Sequence, residues 1–537
     1  MVFRLPPVLK HFAAASALAL VLGAVALPAT AQVTAFKQAV AENVADHEGL
    51  NDFYRARIFE PVWTGEGELD RQRRAFLLDA MRRAPAHGIP ASRHNADALY
   101  AQLRDARTPR DRGVAEIALS KAYLKLAHDL QTGILDPRRA ASGIKRDPHM
   151  RSPEELLARL MGEPPRALFR SLAPQSPEYV RLMATRVALE KRRAKGGWGK
   201  TVSASKLEPG DTGQAVVDLR NRLIAMDYLG HTSTARYDKT IEAAVRDFQR
   251  DHGMEEDGIA GAATLKAINV GIDARLKSVI VAMERERWMN MPGGLGQRHI
   301  KVNLTEFVAR IYDDEKVTFE TRSVIGKNLS THQTPEFSDV MEHMEINPSW
   351  YVPRSIIVNE YLPALRRNPG AAGHLRIVDS RGRTVSRGRS FAQYSASSFP
   401  FSMQQPPGPK NALGTVKFMF PNRYNIYLHD TPAKSLFSRE VRAFSHGCVR
   451  LNDPHDFAYA LLAKQEDDPV GFFKSKLRTG QTHRVVLEKE VPVHLIYRTA
   501  FTTAKGRTQF RDDIYGRDAQ IWQALEAAGV SLGGLQS

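Results

Sequence analysis

The single cysteine of this chain, Cys448, follows Ser445-His446-Gly447 and lies nineteen residues after His429. A thiol is a strong nucleophile only as the thiolate, and an imidazole within hydrogen-bond reach can remove its proton. Two neighbouring elements joined by a loop of this length can bring the two side chains together. The pattern therefore predicts a thiolate–imidazolium pair with a lowered cysteine pKa, poised for covalent catalysis.

The residues beside Cys448 have types that suit attack on a carbonyl group. Gly447 allows close approach of a substrate, and the backbone N–H groups of Gly447 and Cys448 can form an oxyanion hole. Arg450 carries a planar cationic fork that matches a carboxylate. We therefore expect an anionic substrate with a reactive carbonyl.

Two histidines compete for the role of base. His446 is only two residues from the thiol, which makes side-chain contact awkward, so we prefer His429. We expect His446, together with Ser445, to shape the site or contact the substrate. A metal centre built from His343, His429 and His446 is the alternative, but no H-E-x-x-H or paired Cys/His spacing supports it, and we expect no metal.

A β-rich region has to position these groups. Residues 299–304 and 307–312 alternate polar and apolar side chains, as half-buried strands do, and further strand-like runs cover 417–420, 425–428 and 484–487. Residues 355–412 are rich in Pro, Gly, Ser and Gln, which indicates a functional lid or cap. We predict a mainly β, sandwich-like catalytic domain over 297–490 with 355–412 as a capping insertion, followed by a C-terminal extension over 491–537.

The preceding residues, 38–195, predict a helical domain. Apolar positions recur at helical spacing over 75–81 and 115–130, and Asp136-Pro137 is expected to end the second helix. No metal-ligand or acid/base spacing occurs there, so we expect a scaffold. A Gly-, Ser- and Lys-rich stretch over 191–205 predicts a flexible linker. The whole chain is thus predicted to be a multidomain α+β protein.

The N-terminus indicates the compartment. A basic start precedes an apolar run over 12–27 and an A-x-A site, which together predict a signal peptide over 1–31, cut before Gln32. The run is short for a bilayer span, so we expect membrane attachment only if the segment is uncleaved. We therefore expect an exported, periplasmic protein. Its one thiol has no partner for a disulfide in an oxidising space, which favours a functional role for Cys448 over a packing role.

The charge balance constrains the partner. With 76 Lys and Arg against 59 Asp and Glu, the formal net charge is +17, which favours an anionic envelope surface. We do not expect nucleic acid as a partner, because the protein is expected outside the cytoplasm. The sequence also has no nucleic-acid recognition signature and no basic patch interleaved with aromatic residues.

Residues 207–269 carry the series GDxG…YD…AVxxFQxxHGxxxDG. This series resembles the type 1 peptidoglycan-binding domain, which implies a small three-helix module that holds the protein on the cell wall.

The residues around the thiol extend the resemblance. His429 with Ser445-His446-Gly447-Cys448 resembles the H…[ST]HGC signature of the YkuD-type L,D-transpeptidases. Residues 346–353, 408–418 and 427–432 resemble the NPxWxVP, GPxNALGxVKF and YLHDTP segments of the large periplasmic subgroup, whose scaffold domain the helical region also resembles.

The resemblance implies a reaction. Cys448 attacks the third residue of a peptidoglycan tetrapeptide donor stem, D-alanine leaves with a proton from His429, and the amine of an acceptor stem takes the acyl group to form a 3–3 cross-link. The resemblance also implies that Tyr427 contributes to the oxyanion or substrate site. It implies that Trp350 and the capping insertion form the walls of the donor groove. A backbone carbonyl is implied as the group that orients the base. No cofactor or metal is implied, and carbapenems are implied as acylating inhibitors.

Three alternatives remain open at the level of sequence. Water could be the acceptor, which would make the protein an L,D-carboxypeptidase or hydrolase. A protein amine could be the acceptor, which would make it an enzyme that attaches proteins to the wall. A non-catalytic wall-binding protein carried by residues 207–269 is disfavoured, because Cys448, His429 and Arg450 are all present.

Overall fold

The protein is described here by a computed structural model that covers residues 34–503 and 507–532. The expected signal segment, residues 1–31, lies outside the described residues. In the part that is described, no helix combines the length and the apolar character needed to cross a membrane.

Helices make up most of residues 34–290. The α-helices are α1 Ala35–Val44, α2 Glu48–Ala56, α3 Glu68–Arg83, α4 Ala96–Asp105, α5 Pro109–Thr132, α6 Pro137–Ala140, α7 Pro153–Gly162, α8 Pro165–Ser171, α9 Pro177–Ala194, α10 Gln214–Ala225, α11 Lys239–Asp251, α12 Ala262–Ile268, α13 Ile272–Trp288, α14 Arg354–Ile356, α15 Leu362–Arg367, α16 Pro454–Leu462, α17 Pro469–Arg478 and α18 Arg517–Ala527. Single 3₁₀ turns cover Ala84–His87, Ala91–Arg93 and Lys434–Ser438, and a π-helix covers Ile357–Tyr361.

The strands follow from residue 298 onward. They are β1 Arg298–Asn303, β2 Val308–Asp313, β3 Lys316–Gly326, β4 Phe337–Ile346, β5 Trp350–Tyr351, β6 Arg376–Val378, β7 Ser402–Gln405, β8 Val416–Met419, β9 Leu428–His429, β10 Ala443–Ser445, β11 Val449–Leu451, β12 His483–Ile496, β13 Ala500–Thr502 and β14 Thr508–Phe510.

The long helix α5 shows why the N-terminal region is helical. Thr108 and Asp111 form a reciprocal capping box at its start, and Pro109 occupies the first turn, where no N–H is needed. The helix ends at Gly133, which has a φ of 86°. The expectation that Asp136-Pro137 ends this helix is wrong: Asp136 instead caps the new short helix α6.

The expected linker also begins later than predicted. Helix α9 continues through residues 191–194, because the basic side chains of its last turn lie at the negative end of the helix dipole. The helical region shares one apolar core with α13 and with residues of β13 and β14.

Helices α10, α11 and α12 surround a separate apolar core. The motif residues of this module hold its turns. Asp238 caps α11 by accepting from the backbone N–H groups of Thr240 and Ile241. The Tyr237 hydroxyl donates to the Gly258 carbonyl at 2.8 Å, and Gln249 Oε1 accepts from the Gly258 N–H at 2.9 Å. These contacts explain the YD, FQ and DG positions of the series as structural ones.

The C-terminal domain is mainly β, as predicted, and the described chain is multidomain α+β. Its main sheet has the order β10-β3-β11-β9-β8-β4-β12-β1-β2. The first half of β3 also pairs with β2, so the layers expected of a sandwich belong to one sheet that closes on itself. Strand β12 runs through the expected boundary at residue 490 and pairs with β4 and β1 beyond it. The residues after 490 therefore begin inside this sheet.

The segment between β4 and β8 is more ordered than its composition indicates. Strands β5, β7 and β6 form a small sheet, and a cluster that includes Phe391, Phe399 and Phe401 gives this segment its own apolar core. We call residues 350–405 the cap. Burial of its own aromatic side chains, rather than alternating polarity, stabilises it.

A buried ionic network joins the sheet to the helices. Glu336, which is 1% exposed, forms ion pairs with Arg285 of α13 and with Arg517 of α18, the latter at 3.2 Å. Arg285 also contacts Asp518 at 2.9 Å. Burial alone would raise the pKa of Glu336, but the two guanidinium groups outweigh it and hold that pKa below its ordinary value.

This network reaches the cysteine through Thr334. Arg517 donates to the Thr334 carbonyl at 2.8 Å, and the Thr334 hydroxyl donates to the Gly447 carbonyl at 2.7 Å. The backbone of Glu336 meanwhile pairs with residues 143 and 145 of the helical region at 2.9 Å and 2.8 Å. The loop over 327–336 thus ties three parts of the chain to the turn that carries Cys448.

Glu336→Gln should destabilise the protein by about 3 kcal/mol, because it leaves two buried guanidinium groups without their main counter-charge. The matched control is Glu320→Gln, which removes a 54% exposed carboxylate that bonds Arg310 at 2.6 Å. That control should cost at most about 1 kcal/mol. Denaturant titration of both variants measures the difference, and equal midpoints would contradict the role given to Glu336.

Candidate active site

Two adjacent parallel strands bring the predicted catalytic residues together. In the register of β9 and β11, Leu428 lies opposite Val449 and His429 opposite Arg450. Leu428 and Val449 are fully buried in the sheet core. Because side chains alternate along a strand, Tyr427, His429, Cys448 and Arg450 share the other face.

The turn before β11 depends on Gly447. Its φ is 122°, and a Cβ there would lie 3.2 Å from Ile426 Cδ1, so a larger residue would be strained. The Ser445 hydroxyl accepts from the Gly447 N–H at 3.1 Å and donates to the Cys448 carbonyl at 2.5 Å. Ser445 therefore braces the turn from within.

The hydrogen bonds of Ser445 leave fewer backbone donors for the expected oxyanion hole than the sequence predicted. Both Gly447 and Cys448 were expected to offer a backbone N–H, but that of Gly447 is already taken by Ser445. Among the described residues, the Cys448 N–H has no acceptor, so it is the backbone donor that remains. The Tyr427 side chain lies close enough to the Cys448 sulfur for each group to shift the pKa of the other, so its hydroxyl is a candidate second donor.

His429 is oriented by a backbone carbonyl. Its ring is 4% exposed, and Nδ1 lies 2.5 Å from the Asp430 carbonyl oxygen. A carbonyl only accepts, so Nδ1 carries the proton and Nε2 is left as the basic atom. The Asp430 carboxylate is held in turn by Thr415 and Lys434, each at 2.9 Å. The group that the sequence left unidentified is thus the Asp430 carbonyl.

The electrostatics of the pair differ from the expectation. Burial raises the pKa of Cys448 to about 11, against hydrogen bonds from Tyr427 and the charges of Lys417 and Arg450 that lower it. Burial and the charge of Arg450 lower the pKa of His429 to about 3. The predicted lowering of the cysteine pKa is therefore wrong for this structure, and both shifts favour the neutral thiol and imidazole over a thiolate–imidazolium pair.

Arg450 is a cation without a protein counter-charge. Within residues 34–503 and 507–532, no carboxylate lies at ion-pair distance from it, and its Nε has no hydrogen-bond partner. A half-buried guanidinium left in this state is suited to an anionic ligand. Lys417, opposite His429 in β8, is instead paired with Glu345 at 3.5 Å.

The other predicted residues lie near the cap. His446 Nε2 contacts Glu360 Oε1 of the cap at 2.5 Å. In the described residues neither His446 nor His429 forms a hydrogen bond with Cys448, so the choice of His429 as base stays a prediction. Trp350 lies in β5, pairs with Gln405 and packs against the core of the cap. The metal set weighed from the sequence is not assembled, because His343 lies beside Arg484, at 3.4 Å.

The structure also brings in residues that the sequence analysis missed. The Cys448 thiol donates to the Asn425 carbonyl at 3.4 Å, and Asn425 adopts a φ of 54°. Thr334 supports the cysteine turn, while His332 and Glu360 approach His446. A backbone carbonyl leaves no signal in residue type, and the loop residues lie more than 80 positions from the cysteine, so no local pattern could have identified them.

Three parts of the chain match known protein families. Residues 48–185 match a scaffold domain, residues 212–268 match a family described as "Putative peptidoglycan binding domain", and residues 297–470 match the YkuD L,D-transpeptidase catalytic domain.

A curated relative from Haemophilus influenzae, described as "Putative L,D-transpeptidase", is 31% identical over 228 residues. The alignment covers 41% of this chain and 45% of that relative, so this chain spans less than half of the relative's length.

Two solved structures are also similar. An L,D-transpeptidase from Xylanimonas cellulosilytica is 14% identical and covers 55% of this chain and 100% of its own, with a TM-score of 0.17. One from Stackebrandtia nassauensis is 16% identical and covers 56% of this chain and 97% of its own, with a TM-score of 0.22. TM-scores this low add nothing to the family match. On the matches of its own domains, this chain carries a YkuD-family L,D-transpeptidase catalytic domain joined to a peptidoglycan-binding domain and a scaffold domain.

Proposed function

We propose that this protein is a cysteine L,D-transpeptidase that forms 3–3 cross-links in peptidoglycan. The observation that carries the proposal is the shared face of Cys448, His429 and the unpaired Arg450 on two adjacent strands. The peptidoglycan-binding domain supports a location at the cell wall, in the periplasm, with membrane attachment only if residues 1–31 are retained.

Acylation starts from a neutral pair. As Cys448 Sγ attacks the carbonyl of the third residue of a tetrapeptide donor, His429 Nε2 takes the thiol proton, and the Nδ1–H bond to Asp430 stabilises the resulting imidazolium. The Cys448 N–H and the Tyr427 hydroxyl stabilise the oxyanion. The intermediate then expels D-alanine, whose amine receives the proton from His429. Arg450 binds a carboxylate of the donor stem.

Transfer reverses these roles. The side-chain amine of an acceptor stem attacks the thioester carbonyl, His429 takes a proton from that amine, and the thiolate leaves to regain a proton. Besides the donor and acceptor stems, the proposed steps use Cys448, His429, Tyr427, Arg450 and backbone groups of this chain. The cap, which contacts His446 through Glu360, would restrict access of water to the thioester, as a transferase requires. Carbapenems would acylate the same sulfur.

Incubation of the protein with purified disaccharide-tetrapeptide should yield a tetra–tri dimer, detected by mass spectrometry, and Cys448→Ala should abolish it because no other thiol exists in the chain. Tripeptide alone would instead show that water is the acceptor and that the protein is an L,D-carboxypeptidase. Turnover that persists in Cys448→Ala would exclude the proposed nucleophile.

His429→Ala should slow acylation by about 10²–10⁴-fold, the usual effect of losing a general base, while His446→Ala should have a smaller effect. Single-turnover acylation, followed by the mass of the intact protein, separates this step from transfer. Circular dichroism serves as the folding control for both variants. A larger loss in His446→Ala than in His429→Ala would show that the base is misassigned.

The rate of Cys448 alkylation by iodoacetamide should rise by about tenfold per pH unit, without a plateau, from about pH 6 to about pH 10. The reason is the raised thiol pKa of about 11, which keeps the reactive thiolate a minor species across this range. Arg450→Met should slow alkylation further, because the positive charge of Arg450 lowers that pKa. A plateau near neutral pH would reveal a resting thiolate–imidazolium pair.

A further inference from the structure

Three potential metal ligands from separate segments meet beside the cysteine turn. His332 lies in the loop after β3, Glu360 in the π-helix of the cap, and His446 two residues before Cys448. One ligand atom from each lies within 4.8 Å of the other two. The imidazole rings of His332 and His446 are 4.5 Å apart between centroids, and His446 Nε2 is 2.5 Å from Glu360 Oε1.

The proposed reaction leaves this cluster unexplained. His446 does not contact the thiol, and neither His332 nor Glu360 has a part in acyl transfer. Two imidazoles and one carboxylate are a ligand set that zinc favours, and a tetrahedral ion would take a fourth ligand from solvent. From the geometry we propose that His332, Glu360 and His446 form a zinc site that clamps the cap onto the loop and the cysteine turn.

Small adjustments would bring the cluster to zinc geometry. Ligands of a tetrahedral zinc at about 2.0–2.1 Å stand about 3.3 Å apart, so the 2.5 Å contact between His446 and Glu360 has to lengthen, while all three ligand atoms already lie within 4.8 Å of one another. Glu360 is exposed and His332 and His446 are partly exposed, so all three side chains have room to move.

The surroundings of His332 also suit a ligand. The Thr331 hydroxyl lies 2.8 Å from His332 Nδ1, which leaves Nε2 as the coordinating atom and holds the ring from outside the site.

A filled site would act on access to Cys448. Glu360 is the ligand that belongs to the cap, and the other two belong to the catalytic sheet and its loop. Bound zinc would therefore tie the cap to His446, the residue next to Gly447 in the cysteine turn, and would slow entry of a donor. This consequence rests on the proposed function, whereas zinc binding itself does not.

The test uses the whole chain without a histidine tag, in the Cys448→Ala background so that the thiol is not a ligand. Zinc affinity is measured by competition with a chromophoric chelator, and Co²⁺ serves as a probe of coordination through its visible absorption. One site per chain with tetrahedral-type Co²⁺ bands is expected. His332→Ala and Glu360→Gln should each weaken binding by about 100-fold or more.

A matched control comes from the pair His343 and Glu342, which stand 3.8 Å apart elsewhere on the sheet. Glu342→Gln should leave the affinity unchanged. Hydrogen exchange over 354–367 should slow on addition of Zn²⁺ and should not slow in Glu360→Gln, a variant of an exposed side chain that is expected to fold. Absence of stoichiometric binding, or binding that survives both ligand variants, would overturn the site.

An activity measurement in the chain with its thiol distinguishes the site from the function. If the protein is a transpeptidase, Zn²⁺ should slow acylation, and Glu360→Gln should relieve much of that inhibition. Zinc binding at the cluster without any transpeptidation would leave the site standing and reject the proposed function. Inhibition that is equal in Glu360→Gln would place the inhibitory metal on Cys448 and reject the clamp.

Discussion

The buried carboxylate of Glu336 is the constraint on which the rest of this structure depends. A charge removed from water needs compensation nearby, and Glu336 finds it in Arg285 of the helix before the sheet and Arg517 of the helix after it. Because these partners come from both sides of the catalytic domain, satisfying one charge fixes three segments. The same loop supplies Thr334 to the Gly447 carbonyl, so the position of the thiol is linked to an ion network in the molecular interior.

Low polarity at the site explains the neutral state of its two reactive groups. Burial penalises both the thiolate and the imidazolium, which is why the pKa of Cys448 rises to about 11 and that of His429 falls to about 3. In the proposed reaction, charge would separate only when a substrate supplies a developing oxyanion and a carboxylate. The unpaired Arg450 is consistent with this arrangement, because it stays uncompensated until an anionic ligand arrives.

The cap meets the site through polar contacts rather than through a shared core. Its aromatic residues pack among themselves, whereas Glu360 reaches His446 at 2.5 Å across the boundary. A contact between partly exposed charged side chains is weakened by the ions around it. The ligand cluster with His332 would convert this weak contact into a coordinated one.

The sequence by itself determined the residue types and their local elements. The helices over 75–81 and 115–130, the β-rich C-terminal domain and the placement of Cys448 and His429 on neighbouring elements all follow from periodicity and motif, because those signals depend on near neighbours along the chain. Only the tertiary structure decided the pKa values, the engagement of the Gly447 N–H, the Asp430 carbonyl as orienting group, the passage of β12 beyond residue 490 and the approach of Glu360 to His446. The pKa values, the course of β12 and the approach of Glu360 depend on burial or on contacts between distant segments, whereas the two local hydrogen bonds depend on the exact backbone conformation, and none of these is encoded in residue type alone.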